Sequence, residues 1–264
     1  MNKYLAIFGT SFRQESKTLG NSFVSVFGFG LIIFIFSQMW IYVYTYGGGN
    51  VIEGYSLNMM IWYLVMSEII VFTVKPRAIV RAYSDDIKSG RIAYQMNKPY
   101  NYYLYQTSSQ MGAFSLKFLF ILVSGIVFGL IFAGPITSFN AVGLLPLMVS
   151  LALSMVLTCV LYGAIGLLSF WVEDATPLSW IVQRLTLTLG VLFPPQVFPG
   201  IVQDIITYSP IYALVSGPAQ LLVNFSWELF LKVVIIQILY IIVFAGISAL
   251  LYNSGRKKVN INGG

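Results

Sequence analysis

Apolar runs of near-helical length, broken by short polar or proline-rich stretches, recur along this chain. A helix rising about 1.5 Å per residue needs about 20 apolar residues to cross a hydrocarbon core about 30 Å thick. Such runs lie at residues 21–44, 56–74, 112–132, 144–170, 179–193 and 227–252, and they predict six transmembrane helices. Segments of about ten residues with alternating polarity are absent, which argues against a barrel. The pattern therefore predicts an all-α integral membrane protein, a single transmembrane domain over residues 1–264.

Two further segments are apolar without being spans. Residues 1–20 place Tyr4, Leu5, Phe8 and Phe12 on one helical face, with Lys3, Ser11, Gln14 and Glu15 elsewhere, the pattern of a helix lying in the interface. A cleaved signal peptide fits less well, because the next apolar run continues without a small-residue cleavage site. Residues 194–226 are interrupted by Pro194, Pro195, Pro199, Pro210 and Pro218. They are expected to form re-entrant helices in the outer leaflet, since broken backbone at that depth survives only where protein or a water-lined cavity satisfies its polar groups.

Composition agrees: 58% of residues are hydrophobic and only 9% charged, far from the balance of soluble domains. The net charge of +6 does not point to nucleic acid, because its distribution follows topology. Lys3, Arg13 and Lys17 precede the first span, and "GGGNVIEGY" after it has no Lys or Arg. Lys75, Arg77, Arg81, Lys88, Arg91 and Lys98 follow the second span, "AGPITSFN" after the third is uncharged, and Arg256, Lys257 and Lys258 follow the last. The positive-inside rule then puts both termini in the cytoplasm and requires an even number of crossings. With no histidine and the single Cys159, an intrachain disulfide and His-based catalysis or metal binding are excluded. Cys159 reads as a small core hydrophobe.

The cytoplasmic segment 75–111 gathers both signs of charge in "SDDIKSGR". Ser84 is read as the cap of a short helix with Asp85 and Asp86 in its first turn, Lys88 at its end and Gly90 as its stop, the sense favoured by the helix dipole. Inside the spans, Glu68, Lys117 and Arg184 lie about five or six residues from the cytoplasmic ends, at similar depth. Intramembrane charge is costly and usually pairs, so a buried cluster centred on Glu68 is expected. Trp62, Tyr63 and Met66, with Gln183 and Thr186, are candidates to line a path for an amphipathic solute. Gly125 and Gly129 form a GxxxG in the third span, expected to make a contact within the chain.

Three stretches together resemble the permease subunits of type-2, export-type ATP-binding-cassette (ABC) transporters. They are "DIKSGRIAYQMNKPYNYY" in the first cytoplasmic loop, "FWVEDATPLSWIVQRL" entering span five, and "LFPPQVFPGIVQDIITYSPIYALVSGPAQLLV" before span six. The resemblance implies a dimer, of identical or different permease chains, in a bacterial plasma membrane, driven outward by separate ATPase subunits. It implies that Asp85, Asp86, Lys88, Ser89, Gly90 and Arg91 form the ATPase-coupling helix and that Glu173 and Asp174 make a second, smaller contact. It also places spans two and five near the dimer interface. No cofactor is expected on this chain: ATP and Mg belong to the partner, and no P-loop of the form G-x-x-x-x-G-K-[ST] occurs here.

The alternative is an ion-coupled secondary transporter or channel. Its signature would be acidic residues or paired broken helices near the midplane, whereas the acids here lie near the cytoplasmic end. An intramembrane enzyme lacks a nucleophile with its base.

Overall fold

The computed structural model describes residues 2–17, 20–47, 49–172 and 174–262. Helices Asn2–Ser16 (α1) and Gly20–Tyr46 (α2) lead to a small antiparallel hairpin, Val51–Ile52 (β1) with Tyr55–Ser56 (β2). Leu57–Thr73 (α3), Pro76–Lys88 (α4), Arg91–Met96 (α5), Tyr102–Phe132 (α6) and Leu144–Leu167 (α7) follow. Thr176–Thr186 (α8) continues into a π-helical turn at Leu187–Val191. Gly200–Thr207 (α9), a second π turn at Tyr212–Ser216, Gly217–Val223 (α10) and the long Trp227–Asn262 (α11) complete the order.

Among the described residues, five helical stretches are long and apolar enough to cross a membrane: Val24–Tyr46, Leu57–Lys88, Tyr102–Phe132, Ala141–Phe170 and Trp227–Lys258. The fifth expected run, residues 179–193, is different. α8 with its π turn covers about 24 Å at about 1.5 Å per residue, short of the roughly 30 Å of a hydrocarbon core.

α3 is the centre of the bundle. Met60 to Ile70 are buried on every side, as befits a helix that is apolar all round. α6 approaches it through the expected intrachain glycines: a Cβ at Gly125 would lie 2.6 Å from Ile69 Cδ1, and one at Gly129 2.4 Å from Trp62 Cη2. Trp62 donates its indole N–H to the Gly134 carbonyl at 3.0 Å, and the Tyr63 hydroxyl donates to the Gly190 carbonyl at 2.6 Å. Trp62, Tyr63 and Met66 are therefore core side chains of this chain. At this level α3 has no free face, and these three side chains are not on the lining of the cavity described below.

α1 lies along the first half of α6. Phe8 packs its backbone against Gly112, where a Cβ would stand 2.3 Å from the Phe8 carbonyl oxygen. Ser11 and Ser109 share a hydroxyl bond of 2.9 Å, Lys3 donates to the Pro99 carbonyl at 2.7 Å, and the Asn101 amide donates to the Tyr4 hydroxyl at 3.0 Å. Leu5, expected on the same face, points away and is exposed.

The two ends of the bundle are distinct. At one, Tyr102 at the start of α6 stacks on Tyr252 of α11, Phe170 lies against Gly255, and Lys258 sits over Trp171. α1 and α4 belong to this end as well. At the other, the Tyr44 hydroxyl donates to the Tyr55 carbonyl at 2.7 Å, Asn58 donates to the Ala133 and Pro135 carbonyls, and Ser138 donates to the Val223 carbonyl. Trp40 is buried there against Phe193.

Candidate functional site

α3 stops where proline forces it to. Pro76 biases Lys75 away from the helical region, and Val74 and Lys75 are extended or irregular before α4 begins with Pro76 in its first turn. The break frees carbonyls at the end of α3, and the Lys117 ammonium of α6 donates to that of Phe72. A cation at a helix C-terminus is the arrangement the dipole favours. Lys117 is thus committed to the end of α3.

α4 then runs to Lys88, with Ile79, Val80, Tyr83 and Ser84 buried. Ser84 is not the cap expected from the sequence. It lies in the third turn and shares a 2.6 Å hydroxyl bond with Ser169. Asp85 and Asp86 consequently stand near the C-terminal end of α4, where the dipole disfavours acids. Asp86 is compensated: its carboxylate pairs with Arg91 Nε at 3.1 Å and accepts from the Tyr102 hydroxyl at 2.7 Å and the Gln106 amide at 3.1 Å. Tyr102 is buried by this arrangement.

Gly90 does stop the helix. Its φ of 71° is the left-handed conformation that an L side chain resists, and α5 departs from it directly. The result is an α4–α5 elbow tied to α6 through Asp86. Asp85, Lys88, Ser89, Gly90 and Arg91 remain exposed on it. Asp174 lies beyond α7, where its carboxylate accepts from the Thr176 amide at 2.9 Å, at the first residue of α8. That amide, with the Thr176 hydroxyl, holds the Asp174 carboxyl below the usual range. Glu173 lies outside the described residues.

Beside the elbow, α2, α3, α4, α7 and α8 enclose an open cavity of about 920 Å³. Glu68, Gln183, Arg184 and Thr186 all line it, together with Lys75, Arg77 and Arg81. Arg77 of α4 sits over the Trp180 ring of α8, 4.7 Å from its centroid. The expected triad of Glu68, Lys117 and Arg184 is not formed: among the described residues no ion pair within 4.0 Å joins them. Equal depth along three helices does not fix the direction each side chain takes around its helix. Lys117 turns to Phe72, while Glu68 and Arg184 face the same cavity without pairing. The contribution of α4 was missed in the sequence, although the spacing of Arg77 and Arg81, one turn apart, placed both on one face.

Both π turns present carbonyls to side chains. The Gly190 carbonyl accepts from Tyr63 and, at 3.2 Å, from Ser216. The Ala213 carbonyl accepts from Gln237 of α11 at 3.0 Å. π turns of this kind often mark functional positions in helices.

The family model of the ABC-2 family transporter proteins matches residues 31–263, so this chain belongs to that family. Membership makes it the membrane permease of an ABC transporter, and not its catalytic unit, with an ABC ATPase as the implied partner. No curated protein sequence matches the chain.

Proposed function

We propose that this chain is the permease of an ATP-driven exporter that works as a dimer, of identical or different chains, and is moved by separate ATPase subunits docked on the α4–α5 elbow. The carrying observation is the elbow itself. It joins the central helix α3 through the Lys75–Pro76 break and is tied to α6 by Asp86, yet leaves Asp85, Lys88, Ser89, Gly90 and Arg91 exposed. A push on these residues is delivered to α3 through a structured helix. Asp86 acts by fixing the elbow to α6, while Asp174 and Glu173 would form the second contact. ATP and Mg are held by the partner.

In this reading the chain is a single membrane domain with six crossings. α8 starts beside Arg77, and the segment after its π turn reaches the opposite end, where Phe193 meets Trp40 and the Tyr55 hydroxyl donates to Gln196 Oε1 at 3.4 Å. Residues 176–196 thus link the two ends, and the fifth of the six crossings completes itself in non-helical backbone. The segment containing α9 and α10 is re-entrant. Tyr240, about 20 Å along α11 from its start at about 1.5 Å per residue, donates its hydroxyl to the Tyr208 carbonyl, and Val223 is back at the outer end beside Ser138. An even number of crossings agrees with α1 and the last turns of α11 lying at one end, the cytoplasmic face of a bacterial plasma membrane.

The test is a charge reversal on the exposed elbow. Asp85→Lys with Lys88→Glu is expected to abolish substrate-stimulated ATPase activity of the membrane complex, with the permease retained at parental yield and melting temperature. Full stimulation in that variant would remove the elbow from the coupling path.

A further inference from the structure

We propose that the cavity between α3, α4 and α8 binds an anionic amphiphile, one phosphate-type headgroup with an acyl tail. That this molecule is cargo rests on the permease reading; that it binds does not.

The cations of the cavity come from three separate places in the chain. Lys75 stands at the helix break, Arg77 and Arg81 on α4, and Arg184 on α8. All four are exposed to the open cavity, and among the described residues none makes an ion pair within 4.0 Å. Glu68 and Asp85 are the carboxylates on the same lining, too few to balance them. Cations gathered against low-dielectric walls repel one another, and an anion placed among them is strongly favoured. Arginine supplies planar paired donors that match phosphate oxygens, and Arg77 is already oriented by the Trp180 ring.

The rest of the cavity is hydrocarbon. Ile32 and Phe36 of α2, Ile70 and Val71 of α3, and Leu187 and Leu214 by the π turns line it. Positive-inside residues serving topology alone would face open water. Here they form the polar part of an apolar cavity whose volume of about 920 Å³ lies within the roughly 300–1,000 Å³ typical of ligand sites. A free inorganic anion would leave the apolar wall unused, and a neutral apolar solute would leave the cations uncompensated. An anionic lipid-like molecule satisfies both.

The binding test uses the full-length chain purified alone in mild detergent, without nucleotide or ATPase. Native mass spectrometry reads retention of phosphatidylglycerol against phosphatidylcholine, with inorganic phosphate as competitor. Retention of phosphatidylglycerol is expected to exceed that of phosphatidylcholine at least tenfold. Arg77→Gln with Arg184→Gln should reduce it about tenfold or more. Val71→Trp, which fills the apolar wall and leaves every charge in place, should reduce it as well. Where the arginine pair lowers the melting temperature, Lys75→Gln with Arg81→Gln, at exposed positions, is read in its place. Equal retention of the two lipids, parental retention by the charge variants, or displacement by phosphate together with an unaffected Val71→Trp would overturn the proposal. Because no ATPase takes part, failure here leaves the coupling reading standing, and failure of coupling leaves this binding result intact.

Discussion

Gly166→Val is expected to detach α4 from α7. A Cβ at Gly166 would stand 2.8 Å from Tyr83 Cβ and 2.9 Å from Cδ2, and valine adds two methyl groups beyond that point. Tyr83 has nowhere to retreat. Its ring is buried, meets Tyr102 edge-on at 5.7 Å between centroids, and has its hydroxyl beside Gly163. Overpacking of this kind costs about 1–3 kcal/mol, and relief by moving α4 away would break the Ser84–Ser169 bond. The measurement is thermal unfolding of the purified variant together with coupled ATPase activity. Both should fall, and Gly166→Ala should lie between parent and valine. A valine variant with parental melting and coupling would show that α4 is not seated on α7 as described.

Gln237→Ala should be the most destabilising single change on α11. The side chain is fully buried and ties three segments together. Its amide nitrogen reaches the Ser150 carbonyl, the Ser154 hydroxyl and the Ala213 carbonyl, each at 3.0 Å, and its oxygen accepts from Ser150 Oγ at 3.2 Å. Two amide hydrogens serve three acceptors, so one bond is shared. Interhelical hydrogen bonds in membranes are worth about 0.6–1.7 kcal/mol each, and buried acceptors left unmet add to the loss, which gives roughly 2–4 kcal/mol. Gln237→Glu retains the length but offers at most one O–H donor in place of two N–H, and should also be destabilised. If the alanine variant melts with the parent, the node is not holding α7, α11 and the second π turn together.

The spanning helices were legible because length and apolarity are local properties, and five of the expected runs correspond to helices long enough to cross. α8 was less so, since its helix is short and the crossing continues in π and irregular backbone that no periodicity announces. The start of α4 was misread although its signal was present. Pro76, followed by Ile79, Val80, Tyr83 and Ile87 at helical spacing, outweighed the attraction of Ser84 and its two acids as an N-terminus. At Glu68 and Lys117, counting residues gave depth but not direction, and the unpaired carbonyl of Phe72 took the lysine. The aromatic residues of α3 were ambiguous for a related reason: Trp62 and Tyr63 have the composition of a path and the burial of a core. The cavity was legible only in part: Glu68, Gln183, Arg184 and Thr186 were candidates, whereas Lys75, Arg77 and Arg81 join Arg184 from a segment more than a hundred residues away.

The central claim is that an ATPase touches the exposed end of α4. A photo-crosslinking residue at Ser89, the exposed C-cap position whose hydroxyl bonds within its own turn and to Arg91, places a probe there without disturbing the core. Irradiation in native membranes, followed by mass spectrometry of the adduct, reads the neighbour directly. An adduct with a polypeptide carrying a P-loop, formed at Ser89 and absent from a probe on the outward face of α11 at Ile242, is the predicted result. Adducts at Ser89 with lipid or with no protein, in a permease of parental yield, would contradict it.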